Sequence, residues 1–128
     1  MIIRKVDRET LRKMIKNGED VSNADTSEIT DMESMFYGCS AFNQDISGWS
    51  VSKVEGMKRV FKGCESFKQD LSKWDISNVK EMKCMFQGCE EFEFKTLKRK
   101  ISKKEHLIGR EDYQSFSKEK LIDYIQGS

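Results

Sequence analysis

The side chains best suited to chemistry in this 128-residue chain are four cysteines, at 39, 64, 84 and 89, and a single histidine, His106. A thiolate beside an imidazole makes a nucleophile pair, and the same groups hold zinc. Zinc sites draw on close pairs such as C-x₂-C, whereas Cys39, Cys64 and Cys89 stand 25 residues apart. That spacing predicts small buried apolar groups. Cys84 falls where the neighbouring copies carry Ser34 and Arg59, so it is expected nearer the surface, and a Cys84–His106 pair is the one nucleophile or metal alternative. No other catalytic, metal or cofactor constellation emerges, and the expectation is a protein that is not an enzyme and needs no metal or cofactor.

The cysteine spacing belongs to a repeat. Met35-Phe36-Tyr37-Gly38-Cys39 returns as Val60-Phe61-Lys62-Gly63-Cys64 and as Met85-Phe86-Gln87-Gly88-Cys89. Ile29/Val54/Val79, Met32/Met57/Met82, Phe42/Phe67/Phe92, Ile46/Leu71 and Trp49/Trp74 keep the same 25-residue register. A period of about 20–29 residues is that of leucine-rich-repeat solenoids. Ile46-Ser47-Gly48-Trp49-Ser50-Val51 and Leu71-Ser72-Lys73-Trp74-Asp75-Ile76 fit L-x-x-L-x-L, with residues 21–26 a weaker first copy. The L-x-L part predicts a short strand with alternating faces. Ser52 and Glu55 then suggest a capping box, followed by Val54, Met57, Val60 and Phe61 at helical spacing. Gly63 is placed to end that helix in the left-handed conformation.

The elements required are therefore a strand, a turn, a short helix and a return loop in each copy. The predicted fold class is α/β: a short leucine-rich-repeat-like solenoid of about three to four 25-residue strand–helix repeats with helical caps at both ends. Residues 1–20 form the N-terminal cap, with Asp7 capping a helix over about 8–17 and Val6 and Leu11 as a hydrophobic staple. Residues 21–94 hold three repeats. Residues 95–128 hold a degenerate basic repeat and a second cap, in which Phe116, Ser117 and Leu121 repeat the staple ahead of a helix over about 118–126. The whole is one structural domain. Trp49, Trp74 and the methionines at 32, 35, 57, 82 and 85 are expected in its core.

The segment Phe42-Asn43-Gln44-Asp45-Ile46-Ser47-Gly48-Trp49-Ser50-Val51-Ser52-Lys53-Val54 resembles the F-N-Q-D-I-S-x-W-x-V-S-x-V signature of BspA-like leucine-rich-repeat proteins. Met32-x-x-Met35-Phe36-x-Gly38-Cys39 is similar to the same family's M-x-x-M-F-x-G-C/A element. The resemblance covers residues 21–94. It implies a repeat scaffold and, for many members, surface display and adhesion to host proteins; it supplies no catalytic residues.

Two surfaces are candidates for binding. The solvent-facing rows Asn23/Gly48/Lys73 and Asp25/Ser50/Asp75 would stack on the concave strand face, where solenoids usually meet partners. Lys95, Lys98, Arg99, Lys100, Lys103 and Lys104 make a basic edge with no acid among residues 95–104. Residues 1–94 carry 14 cations against 17 anions, a net −3, and residues 95–128 carry 9 against 5, a net +4. The total of +1 thus hides a polarised chain. The expected partner is another protein, with nucleic acid through the basic edge as an alternative. No apolar run reaches the ~18–20 residues of a membrane span. The first residues meet charge at Arg4, unlike a signal peptide, so the expected setting is the cytoplasm, as a monomer. The expected function is non-catalytic protein binding. Its alternatives are a surface adhesion protein and an intracellular inhibitor, phage-borne for instance, of a nucleic-acid-handling complex.

Overall fold

The computed structural model describes residues 5–93 together with Leu97, Asp123, Ile125 and Gln126. One continuous helix, α1, spans Arg8–Lys16. Its N-cap is Asp7, whose carboxylate accepts the Thr10 N–H at 2.7 Å. Glu9 lies in the first turn and Lys13 and Lys16 in the last, each complementing the helix dipole. Leu11 and Ile15 are buried. The helix ends in a Schellman motif: Gly18, at φ 71°, donates to the Ile15 carbonyl and Glu19 to that of Met14. Val6 and Leu11 share the core, as the staple requires.

Beyond α1 the chain is built from turns. Each 25-residue coil chains six hydrogen-bonded turns, in the first coil 21–24, 26–29, 32–35, 34–37, 36–39 and 39–42. The second and third coils repeat them from Ile46–Trp49 and Leu71–Trp74 onward. Successive coils stack in parallel register. Met32, Ser34, Phe36 and Gly38 donate to the carbonyls of Gly56, Lys58, Val60 and Lys62 at 2.8–2.9 Å. Met57, Arg59, Phe61 and Gly63 then donate to those of Glu81, Lys83, Met85 and Gln87 at 2.8–3.0 Å. Asp31, Gly56 and Glu81 form isolated parallel bridges along this stack, and Lys5 bridges Asp25.

The strand–helix expectation is thereby corrected. Among the described residues there is no strand, and no helix follows any of the L-x-x-L-x-L segments. Ile46–Trp49 closes one turn and Val51–Val54 another. The supposed capping box does not form: the Glu55 N–H donates across the stack to the Thr30 carbonyl at 2.8 Å. A helix through residues 54–61 is blocked by Arg59 at φ 57°, and Ser34 and Cys84 hold the same left-handed place at 58° and 54°. A left-handed residue with a Cβ costs about 1–2 kcal/mol. Gly63 is left-handed as expected, at φ 81°, but it ends a turn and not a helix. Of the C-terminal cap, Phe116, Ser117, Leu121 and Ile122 lie outside the described residues. Asp123, Ile125 and Gln126 have helical backbone, and Ile125 is buried with its carbonyl accepting the Phe86 N–H at 3.2 Å.

Two aromatic ladders fill the interior. Phe36, Phe61 and Phe86 stack with centroids 5.2 and 5.6 Å apart, and Phe42, Phe67 and Phe92 with 6.0 and 5.8 Å. Trp49 and Trp74 are buried, their indole N–H groups donating to the Val21 and Ile46 carbonyls at 2.9 Å. The five methionines are buried as expected. The F-N-Q-D segment is scaffold too. Gln44 accepts the Val21 N–H and donates to the Glu19 carbonyl, Asn43 accepts the Lys68 N–H, and Asp45 caps the following turn through Ser47.

Candidate functional site: the outward turn face

The rows expected to bind lie on the surface, but they are made of turn residues. Asn23, Gly48, Ser50, Lys73 and Asp75 are exposed and Asp25 is half-buried. With no strand among the described residues, there is no concave strand face for them to line. Asp25 and Asp75 accept the N–H groups of Ser27 and Ser77 at 3.0 Å, each closing the turn that follows it. Hydrogen bonding from Ser27 holds the Asp25 carboxyl below its ordinary range, with Lys5 adding a smaller pull. The basic edge of Lys95, Lys98, Arg99, Lys100, Lys103 and Lys104 lies outside the described residues, as does His106.

The cysteine column packs as small apolar groups that donate weakly. Cys64 Sγ donates to the Phe36 carbonyl at 3.0 Å and Cys89 Sγ to that of Phe61 at 2.8 Å. Burial pushes the Cys64 thiol far up and that of Cys89 up to about 11, and it raises Cys39 despite Arg12 and Lys16 nearby. Thiols so disposed are poor nucleophiles and poor metal ligands. Cys84 is half-buried, on the outward side. Among the described residues no three His, Cys, Asp or Glu side chains converge on a metal position. A groove of about 460 Å³ beside the N-terminal segment is lined by Lys5, Asp7, Arg8, Glu28 and Asp31, whose charges nearly cancel.

The unbalanced surface lies elsewhere. In each coil the turns over 32–38 bury the first, fourth and fifth residues and leave the second, third and sixth on the surface side, half-buried except for the exposed Tyr37. Those outward columns are Glu33/Lys58/Lys83, Ser34/Arg59/Cys84 and Tyr37/Lys62/Gln87. They are in register, because Lys62 Nζ sits 5.6 Å over the ring of Tyr37, which is 50% exposed. The middle coil therefore presents Lys58, Arg59 and Lys62 together, with Lys83 about 4.8 Å further along the stack. α1 extends the cationic surface: Arg8 donates to the Asp31 and Glu33 carbonyls, and Arg12 to that of Ser34 at 2.6 Å. These guanidinium groups also close the edge of the first coil, whose carbonyls have no preceding coil to bond.

Some coil lysines are paired, and others, Lys68 and Lys73 among them, have no ion pair among the described residues. What sets this face apart is that three unpaired cations lie together. Lys53 pairs with Glu28 at 3.1 Å, Lys80 with Glu55 at 2.6 Å, and Lys5 with Glu28 at 3.7 Å. Lys58, Arg59 and Lys62 have no ion-pair partner among the described residues. Sequence reasoning passed over these cations because their columns change from coil to coil. That variability against a constant background was the available signal.

Residues 8–118 match a family described as "Mycoplasma protein of unknown function, DUF285". The chain belongs to the DUF285 family. No curated protein and no solved structure matches it. The DUF285 match opens at the first residue of α1 and takes in all three coils and residues 95–104. The DUF285 chain has no helix, among the described residues, long and apolar enough to cross a membrane.

Proposed function

We propose that this DUF285 protein is a non-catalytic protein-binding module whose contact surface is the outward turn face. The observation that carries the reading is the cluster of Lys58, Arg59 and Lys62 beside an exposed tyrosine, three cations together without the carboxylate partners that Lys53 and Lys80 possess. Arg and Tyr are the side chains that interfaces favour, and a fixed scaffold that varies only its outward columns suits recognition. The BspA-like resemblance supports the same reading and adds adhesion to host proteins as its surface-exposed form.

The test is an affinity pull-down with tagged protein from lysate and from surface-protein extracts, with and without nuclease, read by mass spectrometry. The double variant Lys58→Gln/Lys62→Gln serves as comparison. A nuclease-resistant partner retained by the wild type and depleted at least about tenfold by the variant is expected, the size of losing two charged contacts. A partner that vanishes with nuclease would move the reading to nucleic acid and to Lys95, Lys98, Arg99, Lys100, Lys103 and Lys104.

A further inference from the structure

We propose that the outward turn face takes an acidic protein segment, and that Arg59 is its specificity-determining residue; this rests on the binding-module reading above. Arg59 holds a left-handed backbone at φ 57°, a conformation in which glycine is at ease and a Cβ is strained. Glycine does occupy the neighbouring left-handed column, at 38, 63 and 88. The same left-handed φ recurs at Ser34 and Cys84, and the Arg59 N–H donates to the Lys83 carbonyl. The conformation therefore belongs to the coil path and holds the Arg59 side chain at a fixed place on this face, where its guanidinium has no ion pair among the described residues. A guanidinium flanked by two ammonium groups on fixed turns matches successive carboxylates, which Arg binds through two parallel N–H groups.

The charge distribution favours a short acidic segment over nucleic acid. Residues 1–94 carry a net −3, and Glu33 shares the column of Lys58 and Lys83. A long polyanion would meet that surrounding negative field along its length, whereas a few carboxylates meet only the local cluster.

The experiment measures fluorescence anisotropy of a labelled hexaglutamate peptide with the full chain at low salt, alongside a labelled thymidine hexamer of similar charge. Arg59→Gly removes the guanidinium and relieves the backbone together. It is expected to weaken peptide binding about tenfold or more while the melting temperature stays level or rises. Lys58→Gln/Lys62→Gln is expected to weaken binding similarly. The control Lys53→Gln/Lys80→Gln removes two cations already paired with Glu28 and Glu55 and should change it less than about twofold. Equal loss in the control overturns the proposal, as does tighter binding of the thymidine hexamer. A fall in melting temperature that tracks the loss of binding in Arg59→Gly makes Arg59 structural and overturns it too. A protein partner captured equally by wild type and Arg59→Gly leaves the module reading standing and refutes this assignment alone.

Discussion

Replacing Phe61 with alanine probes the interior most directly. Its ring is fully buried, parallel within 2° to that of Phe36 at 5.2 Å, and also packed on Phe67 at 4.5 Å, Phe86 at 5.6 Å and Trp74 at 6.0 Å. Phe→Ala in a close-packed core costs about 3–5 kcal/mol. The upper half of that range applies here, because the stacked rings above and below cannot collapse into the space without breaking the coil register. Phe61→Leu keeps most of the apolar volume but loses the ring pairs, the two along the ladder worth about 0.5–1.5 kcal/mol each, so a loss of at least roughly 1–3 kcal/mol is expected. Tyr37→Ala, at an exposed position, should stay within about 1 kcal/mol. Urea unfolding followed by Trp49 and Trp74 fluorescence reads all three. With a slope near ~1.5 kcal/mol per molar, Phe61→Ala lowers the midpoint by about 3 M. Phe86→Ala, at the end of its ladder, should cost less than Phe61→Ala. A Phe61→Ala cost no larger than that of Tyr37→Ala would refute the stacked-ladder account.

Other perturbations follow the same geometry. Gly63→Ala places a Cβ at φ 81° and 3.5 Å from Gly38 Cα, so thermal melting should show a loss of about 1–2 kcal/mol, opposite in sign to any change in Arg59→Gly. In native-state thiol labelling at pH 8, Cys89 should react roughly 100-fold more slowly than an ordinary thiol, Cys64 more slowly still, and Cys84 first; equal rates would show that the column is open. Hydrogen bonds hold the carboxyls of Asp7, Asp20, Asp25 and Asp45 below the ordinary 3.8, and the Lys53 hydrogen bond and charge hold Glu28 below 4.5. Depressed folded values mean that this stabilisation is complete above about pH 5 and is lost as pH falls through the folded values. The melting temperature should therefore drop between pH 6 and pH 3, and a rise would contradict the turn-capping role.

The period, the register and most of the interior were legible in the sequence, while the local conformation was not. Val54, Met57 and Val60 recur every third residue, and that spacing was read as one face of a helix. In the turns Val51–Val54 and Met57–Val60 the first and fourth residues are buried, so the same spacing arises with no helix at all. The two-residue step from Trp49 to Val51, which suggested a strand, is the link between two turns. Arg59 and Cys84 decide between these alternatives through positive φ, and neither residue type announces it as glycine does. The recurring Asp-x-Ser at 20–22, 25–27, 45–47, 70–72 and 75–77 was the available turn signal, each aspartate accepting the N–H two residues on. The outward cations escaped notice because repetition draws attention to constant columns, which are the core, and away from the variable ones.

The main-chain bonds between adjacent coils join residues 24–26 positions apart, from Met32–Gly56 to Gly63–Gln87, and the indole and thiol bonds span 28. Chain length in this architecture is consequently quantised. Duplicating residues 46–70 adds one storey whose upper and lower surfaces already fit their neighbours, and leaves all other contacts undisturbed. Inserting a single residue within a coil instead shifts the glycine, phenylalanine and cysteine columns out of alignment at once. Tolerance to insertion should thus peak sharply at whole multiples of 25, a rhythm that a library of stepwise duplications would display directly.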